Sequence, residues 1–80
     1  MKVPRDATGQ ELARRLSVLG YRITRQTGSH TRLTTDCMGE HHVTIPRHDP
    51  LKIGTLNAIL REVAEHHQIA RERLVETLFG

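Results

Sequence analysis

The sequence predicts an α+β fold: a three-stranded antiparallel sheet with helices on one face, in the order α-β-β-β-α, plus a short C-terminal helix. Three observations support it. Apolar residues recur at helical spacing in two segments, Leu12-Leu16-Leu19 and Leu56-Ile59-Leu60-Val63-Ala64. Between them, residues 21–45 alternate apolar with polar, the period of strands with one covered face. Gly28-Ser29 and the Asp36–Glu40 segment with Gly39 punctuate that stretch and divide it into three strands.

The first helix is predicted over residues 6–19. Thr8 and Glu11 have capping-box spacing, and Gly20 suits the left-handed residue that ends a helix. In the first strand, 21–27, Tyr21 and Ile23 share one side and Arg22 and Thr24 the other. In the second, 30–35, Leu33 points one way while His30, Arg32 and Thr34 point the other. The third, 41–45, turns Val43 and Ile45 inward, and Pro46 stops it. His41 and His42 fall on opposite faces. A polar connection, 47–52, leads to a second helix starting near Gly54-Thr55, with Thr55 or Asp49 as its cap. His66 and His67 cap or follow that helix, where a cation suits the C-terminal dipole. The last helix, roughly 70–79, carries Leu74, Val75, Leu78 and Phe79. This is also the element order of a double-stranded-RNA-binding domain, a likeness of fold only.

Residues 1–80 are read as one domain, and a chain this short buries only about 60–65% of the surface its unfolded form exposes. Hydrophobic residues make up 36% of it, which fits a small core. No apolar run approaches the roughly 20 residues of a membrane span, and the N-terminal segment is too short and polar for a signal peptide. Cys37 is alone, so no internal disulfide forms, and the cytoplasm is the expected location. The net charge is +3, and ten of the twelve basic residues are arginine, whose planar fork suits phosphate. A basic small domain points to nucleic acid or to an acidic protein partner. Arg14 and Arg15 lie on the polar side of the first helix, solvated or in contact with RNA.

Gly28-Ser29-His30 is the most informative element. Glycine permits a turn, serine offers a hydroxyl, and histidine titrates near neutrality. With Arg25 and Arg32 beside it, His30 is placed to move a proton next to a phosphate. Several segments stand in a fixed order: Lys2-Val3-Pro4-Arg5, Gly20-Tyr21, Arg25-Gln26-x-Gly28-Ser29-His30, Ile45-Pro46-x-His48, and Gly54-Thr55-Leu56 with Ile59-Leu60. Over nearly the whole chain this pattern resembles the HicA family of type II toxin mRNA interferases. The resemblance implies a double-stranded-RNA-binding-like fold, ribosome-independent cleavage of mRNA without metal or cofactor, and neutralisation by a cognate HicB-like antitoxin. It implies that His30 is the catalytic histidine and that His48 matches the family's Pro-x-His position. The Glu40-His41-His42 hairpin and the Arg- and Glu-rich C-terminal segment depart from the family pattern.

RNA supplies its own nucleophile, the 2′-hydroxyl. Cleavage then needs a base, an acid, and positive charge at the phosphate. His30 suits either proton role, and His48 is the candidate for the other. Arg32 shares the strand face of His30, and Arg25 enters the turn from the neighbouring strand; either can hold the phosphate. Ser29 hydrogen-bonds in the site or only shapes the turn. Arg47 and Lys52 are further RNA-binding candidates. Gly54 and Thr55 offer helix-start N–H groups to an anion, or simply begin the helix. Cys37 and His41 lack the compact four-ligand set of a zinc site. The alternatives to an RNA endonuclease are a non-catalytic RNA-binding module of the same fold and a protein-interaction domain with a basic face.

Overall fold

The computed structural model describes residues 3–80, so Lys2 lies outside the described residues. Its elements are α1 (Gly9–Leu16), β1 (Arg22–Gln26), β2 (His30–Thr35), β3 (His41–Pro46), α2 (Ile53–His67) and α3 (Arg71–Phe79). The strands form one antiparallel sheet in the order β1-β2-β3.

Thr8 caps α1 as its spacing from Glu11 predicts: its Oγ1 accepts the Glu11 N–H at 3.0 Å. The α-helix is shorter than the apolar spacing suggested. Regular geometry ends at Leu16, and Ser17–Leu19 tighten into a 3₁₀ turn. Such a turn satisfies carbonyls that the last α-turn leaves free. It closes at Gly20, whose φ of 84° is left-handed. A Cβ there would also stand 2.8 Å from Thr35 Oγ1.

Leu12 and Leu16 are fully buried with Leu33, Val43, Ile45, Leu56, Leu60, Val63, Leu74 and Val75. Truncating one such leucine to alanine costs about 2–5 kcal/mol. The helical layer covers β2 and β3 but leaves the inner side of β1 open. All five β1 residues are exposed, and Ile23, expected beside buried Tyr21, is 55% exposed.

Strand β1 also carries an irregularity. Ile23 pairs with Leu33 and Arg25 with Arg32, so Thr24 is an extra residue, a β-bulge. Simple alternation would put Arg25 on the face of Ile23. The bulge instead puts Thr24 and Arg25 together on the outer face, with Arg32.

Helix α2 buries Leu56, Ile59, Leu60, Val63 and Ala64, the stripe read from the sequence. It starts at Ile53 with Lys52 as N-cap and no side-chain capping bond, so neither Asp49 nor Thr55 caps it. Helix α3 buries Leu74, Val75 and Leu78. Arg15 ties it to α1: its Nη1 donates to the Leu78 carbonyl at 2.8 Å, and its guanidinium lies 5.2 Å from the Phe79 ring centroid. Of the two arginines read as a polar helix face, only Arg14 is exposed.

His67 corrects the expectation of a charged cap. It is buried, 7% exposed, in the last turn of α2. Its Nε2 lies 3.1 Å from the Tyr21 hydroxyl, which lies 2.7 Å from Nδ1 of His41. His66 stacks on His41 at 4.3 Å and donates Nε2–H to the carbonyls of Cys37 and Gly39. The Tyr21 hydroxyl has one proton to give, so one imidazole accepts from it and the other donates to it. Burial, then the neighbouring His66, holds His41 and His67 below the usual imidazole range. Burial also pushes the Tyr21 phenol up to about 12. This neutral relay joins α2 to the ends of β1 and β3.

Candidate functional site

His30 sits at the far end of the sheet from that relay. It pairs with Pro46, whereas Thr35 pairs with His41 at the other end. The turn that presents it is closed largely by Thr27, which sequence reasoning did not single out. Thr27 N–H donates to the His30 carbonyl at 2.9 Å, and its Oγ1 accepts the His30 N–H at 3.0 Å and the Ser29 N–H at 3.3 Å. A threonine just before a Gly-Ser turn is the signal that would have found it. Gly28 does not take the left-handed conformation, and a Cβ on it would meet nothing within 4 Å. Its smallness leaves the backbone open to approach.

Ser29 Oγ lies 2.9 Å from His30 Nδ1. The serine hydroxyl engages the ring, while the Ser29 backbone N–H and carbonyl tie the turn to Thr27 and Arg47. The hydroxyl can accept from Nδ1–H, leaving Nε2 a lone pair, or donate to Nδ1, leaving Nε2 the proton. The same contact therefore supports a base and an acid.

The outer face of the sheet is open beside His30. A shallow concavity of about 350 Å³ is lined by Arg25, Thr27, His30, Arg32, His42 and Thr44. His42 is an addition the sequence had not assigned to this surface. Both of its nitrogens are engaged, Nδ1 with Thr34 Oγ1 at 2.8 Å and Nε2 with Glu40 at 3.1 Å. Arg47 also belongs to the site: its N–H donates to the Ser29 carbonyl at 2.9 Å and its Nη1 to the Thr27 carbonyl at 3.0 Å.

The structure thus brings together His30, Ser29, Arg25, Arg32 and Arg47. The loop after Pro46 delivers Arg47 to the turn, while His48 is exposed and outside the concavity. Lys52, Gly54 and Thr55 occupy the start of α2 and do not line it either. Among the described residues, no three His, Cys, Asp or Glu side chains are grouped to hold a metal ion.

A family model described as the HicA toxin of bacterial toxin-antitoxin matches residues 9–64 of the 80-residue chain. The chain belongs to the HicA toxin family. It is therefore a toxin of the toxin–antitoxin kind, and an antitoxin is its expected class of partner. No curated protein and no solved structure matches it. The HicA match spans α1 to most of α2, including every residue of the His30 turn and the open sheet face. Helix α3 and the two histidines at the end of α2 lie beyond it. No helix among the described residues is long and apolar enough to cross a membrane.

Proposed function

We propose that this HicA-family chain is an mRNA interferase, an endoribonuclease that cleaves through the RNA's own 2′-hydroxyl with His30 as its proton-transfer residue. The observation that carries this reading is the His30–Ser29 contact beside Arg25 and Arg32. It leaves His30 Nε2 free on an open, arginine-lined sheet face. Simple phosphate binding has no need of a titratable group.

In this reading the scissile phosphate lies against Arg25 and Arg32, which meet the negative charge that builds on its oxygens. The 2′-oxygen attacks phosphorus as it loses its proton, and the 5′-oxygen leaves as it gains one. His30 serves one of these transfers. The products are a 2′,3′-cyclic phosphate and a 5′-hydroxyl, and DNA, which lacks the nucleophile, is not cut. No step draws on a metal. Arg47 fixes the turn, and Lys52 with the α2 start offers further positive potential to the strand beyond the cut. An antitoxin of the HicB type neutralises the toxin by covering His30.

The test is His30→Ala with a long RNA in EDTA. The ring is exposed at a strand end, so its loss leaves the core intact and alters stability by about 0.5 kcal/mol or less. Cleavage falls by about 10²–10⁴-fold while RNA binding persists. A folded variant that cuts at the wild-type rate overturns the assignment, as does strict dependence of the wild type on added magnesium.

A further inference from the structure

Behind β1, on the helix side, lies a second and larger concavity of about 510 Å³. It opens between α1 and β1, where the helical layer stops short of the sheet edge. Ala13, Ile23, Leu33, Ile45 and Pro46 contribute its apolar surface. Ile23 is 55% exposed there, although its partner across the ladder, Leu33, is 1% exposed. Leaving a large aliphatic side chain in water at the mouth of a groove is unfavourable, and covering it recovers that loss.

Charge indicates what covers it. Arg14, Arg22 and Arg47 line the groove against one carboxylate, Asp49. Arg22 is shared with exposed Asp36 at 3.6 Å; Arg14 makes no ion pair among the described residues. The surface presents no aromatic platform for a nucleobase. Its one aromatic ring, Tyr21, is 3% exposed and spends its hydroxyl on the histidine relay. An aliphatic surface with a basic rim suits an acidic protein segment better than RNA.

The groove also reaches the catalytic turn. Pro46 and Arg47 form part of its wall, and Arg47 holds the Thr27 and Ser29 carbonyls of the turn that presents His30.

We propose that the groove between α1 and β1 is the docking site for an acidic segment of a partner protein, which inserts an aliphatic side chain over Ile23 and reaches the His30 turn along Arg47. In the toxin reading, on which the partner's identity rests, this segment belongs to the antitoxin. The partner then grips the toxin on the helix side of the sheet and passes along Arg47 to the turn, where it covers His30.

The experiment pairs the full chain with the protein encoded by the adjacent reading frame. It uses two single variants, Ile23→Glu and Arg14→Glu, both at exposed positions outside the catalytic face. Circular dichroism shows that both fold. Affinity for the partner falls by about 10- to 100-fold for Ile23→Glu, the loss expected for one buried aliphatic side chain, and by a smaller factor for Arg14→Glu. Hydrogen exchange on the wild-type complex shows protection of α1 and β1 amides. RNA cleavage by the free variants stays at the wild-type rate. Wild-type affinity in Ile23→Glu, or protection confined to the outer sheet face, overturns the docking site. So does the absence of any complex, and so does weakened binding of an oligoribonucleotide by Ile23→Glu with partner binding intact. If the wild type does not cut RNA, the nuclease reading fails, while the affinity and exchange data still decide the groove.

Discussion

Replacing Tyr21 with phenylalanine removes one oxygen and keeps the ring, so packing around it is nearly unchanged. The loss falls on the histidines. His67 Nε2, in a site 7% exposed, loses its partner at 3.1 Å, and His41 Nδ1 loses one at 2.7 Å. A buried polar group left without a partner costs about 1–3 kcal/mol. The His41 side chain keeps 17% exposure, so water replaces part of its bond and His67 dominates the sum. For a domain of this size each kcal/mol lowers the melting temperature by about 4–8 °C, so the expected drop is roughly 4–24 °C. The assay is thermal unfolding followed by circular dichroism at pH 7.5, with RNA cleavage measured below the transition. Cleavage is unchanged, because His30 lies at the other end of the sheet. A melting temperature equal to that of the wild type would show that the relay contributes nothing, and so would falsify the assignment of His67 as a structural residue.

His41 and His67 are held below the usual imidazole range in the fold, so the unfolded chain binds more protons than the native one as pH falls below about 6.5. Their contribution to stability is thus fully present above that pH and lost on acidification through the lowered folded-state values; melting temperatures that stay flat from pH 7.5 to 5 would contradict this. Gly20→Ala forces a Cβ into a left-handed residue 2.8 Å from Thr35 Oγ1. It destabilises by about 1–2 kcal/mol from backbone strain alone, and urea unfolding with an unchanged midpoint would refute that. Neutralising Arg25 or Arg32 flattens the plot of log affinity for RNA against log salt by about one unit each, and an unaltered slope would move the phosphate contact elsewhere.

Local signals announced much of this fold. Thr8 with Glu11 and Gly20 each record an interaction within one turn of chain, the Leu56–Ala64 stripe records the period of one helix, and each is found where its spacing placed it. Features set by distant partners were not legible. Arg15 looks like any solvated helix arginine until α3 brings the Leu78 carbonyl to it across 63 residues of sequence. His67 reads as a polar helix end until Tyr21 arrives from 46 residues away. The candidate site divides the same way. Ser29, His30 and Arg32 are neighbours in one turn and strand, whereas placing His48 required the path of a loop, and the loop delivers Arg47 instead.

The bulge at Thr24 acts on the chain as an odd number acts on a parity count. Every residue of β1 before it is addressed to one side of the sheet by the even–odd rule, and every residue after it by the opposite rule. Ile23 thereby goes to the groove and Arg25 to the surface that holds His30, although two positions apart they would otherwise share a side. Removing Thr24 would make Ile23 and Arg25 neighbours, and plain alternation would then keep them on opposite faces with the partners they have now. Pairing Thr24 in regular register would instead send Arg25 to the groove side, so the extra residue is what lets two side chains two positions apart face opposite ways. The two faces of this small sheet are kept distinct by counting as much as by chemistry.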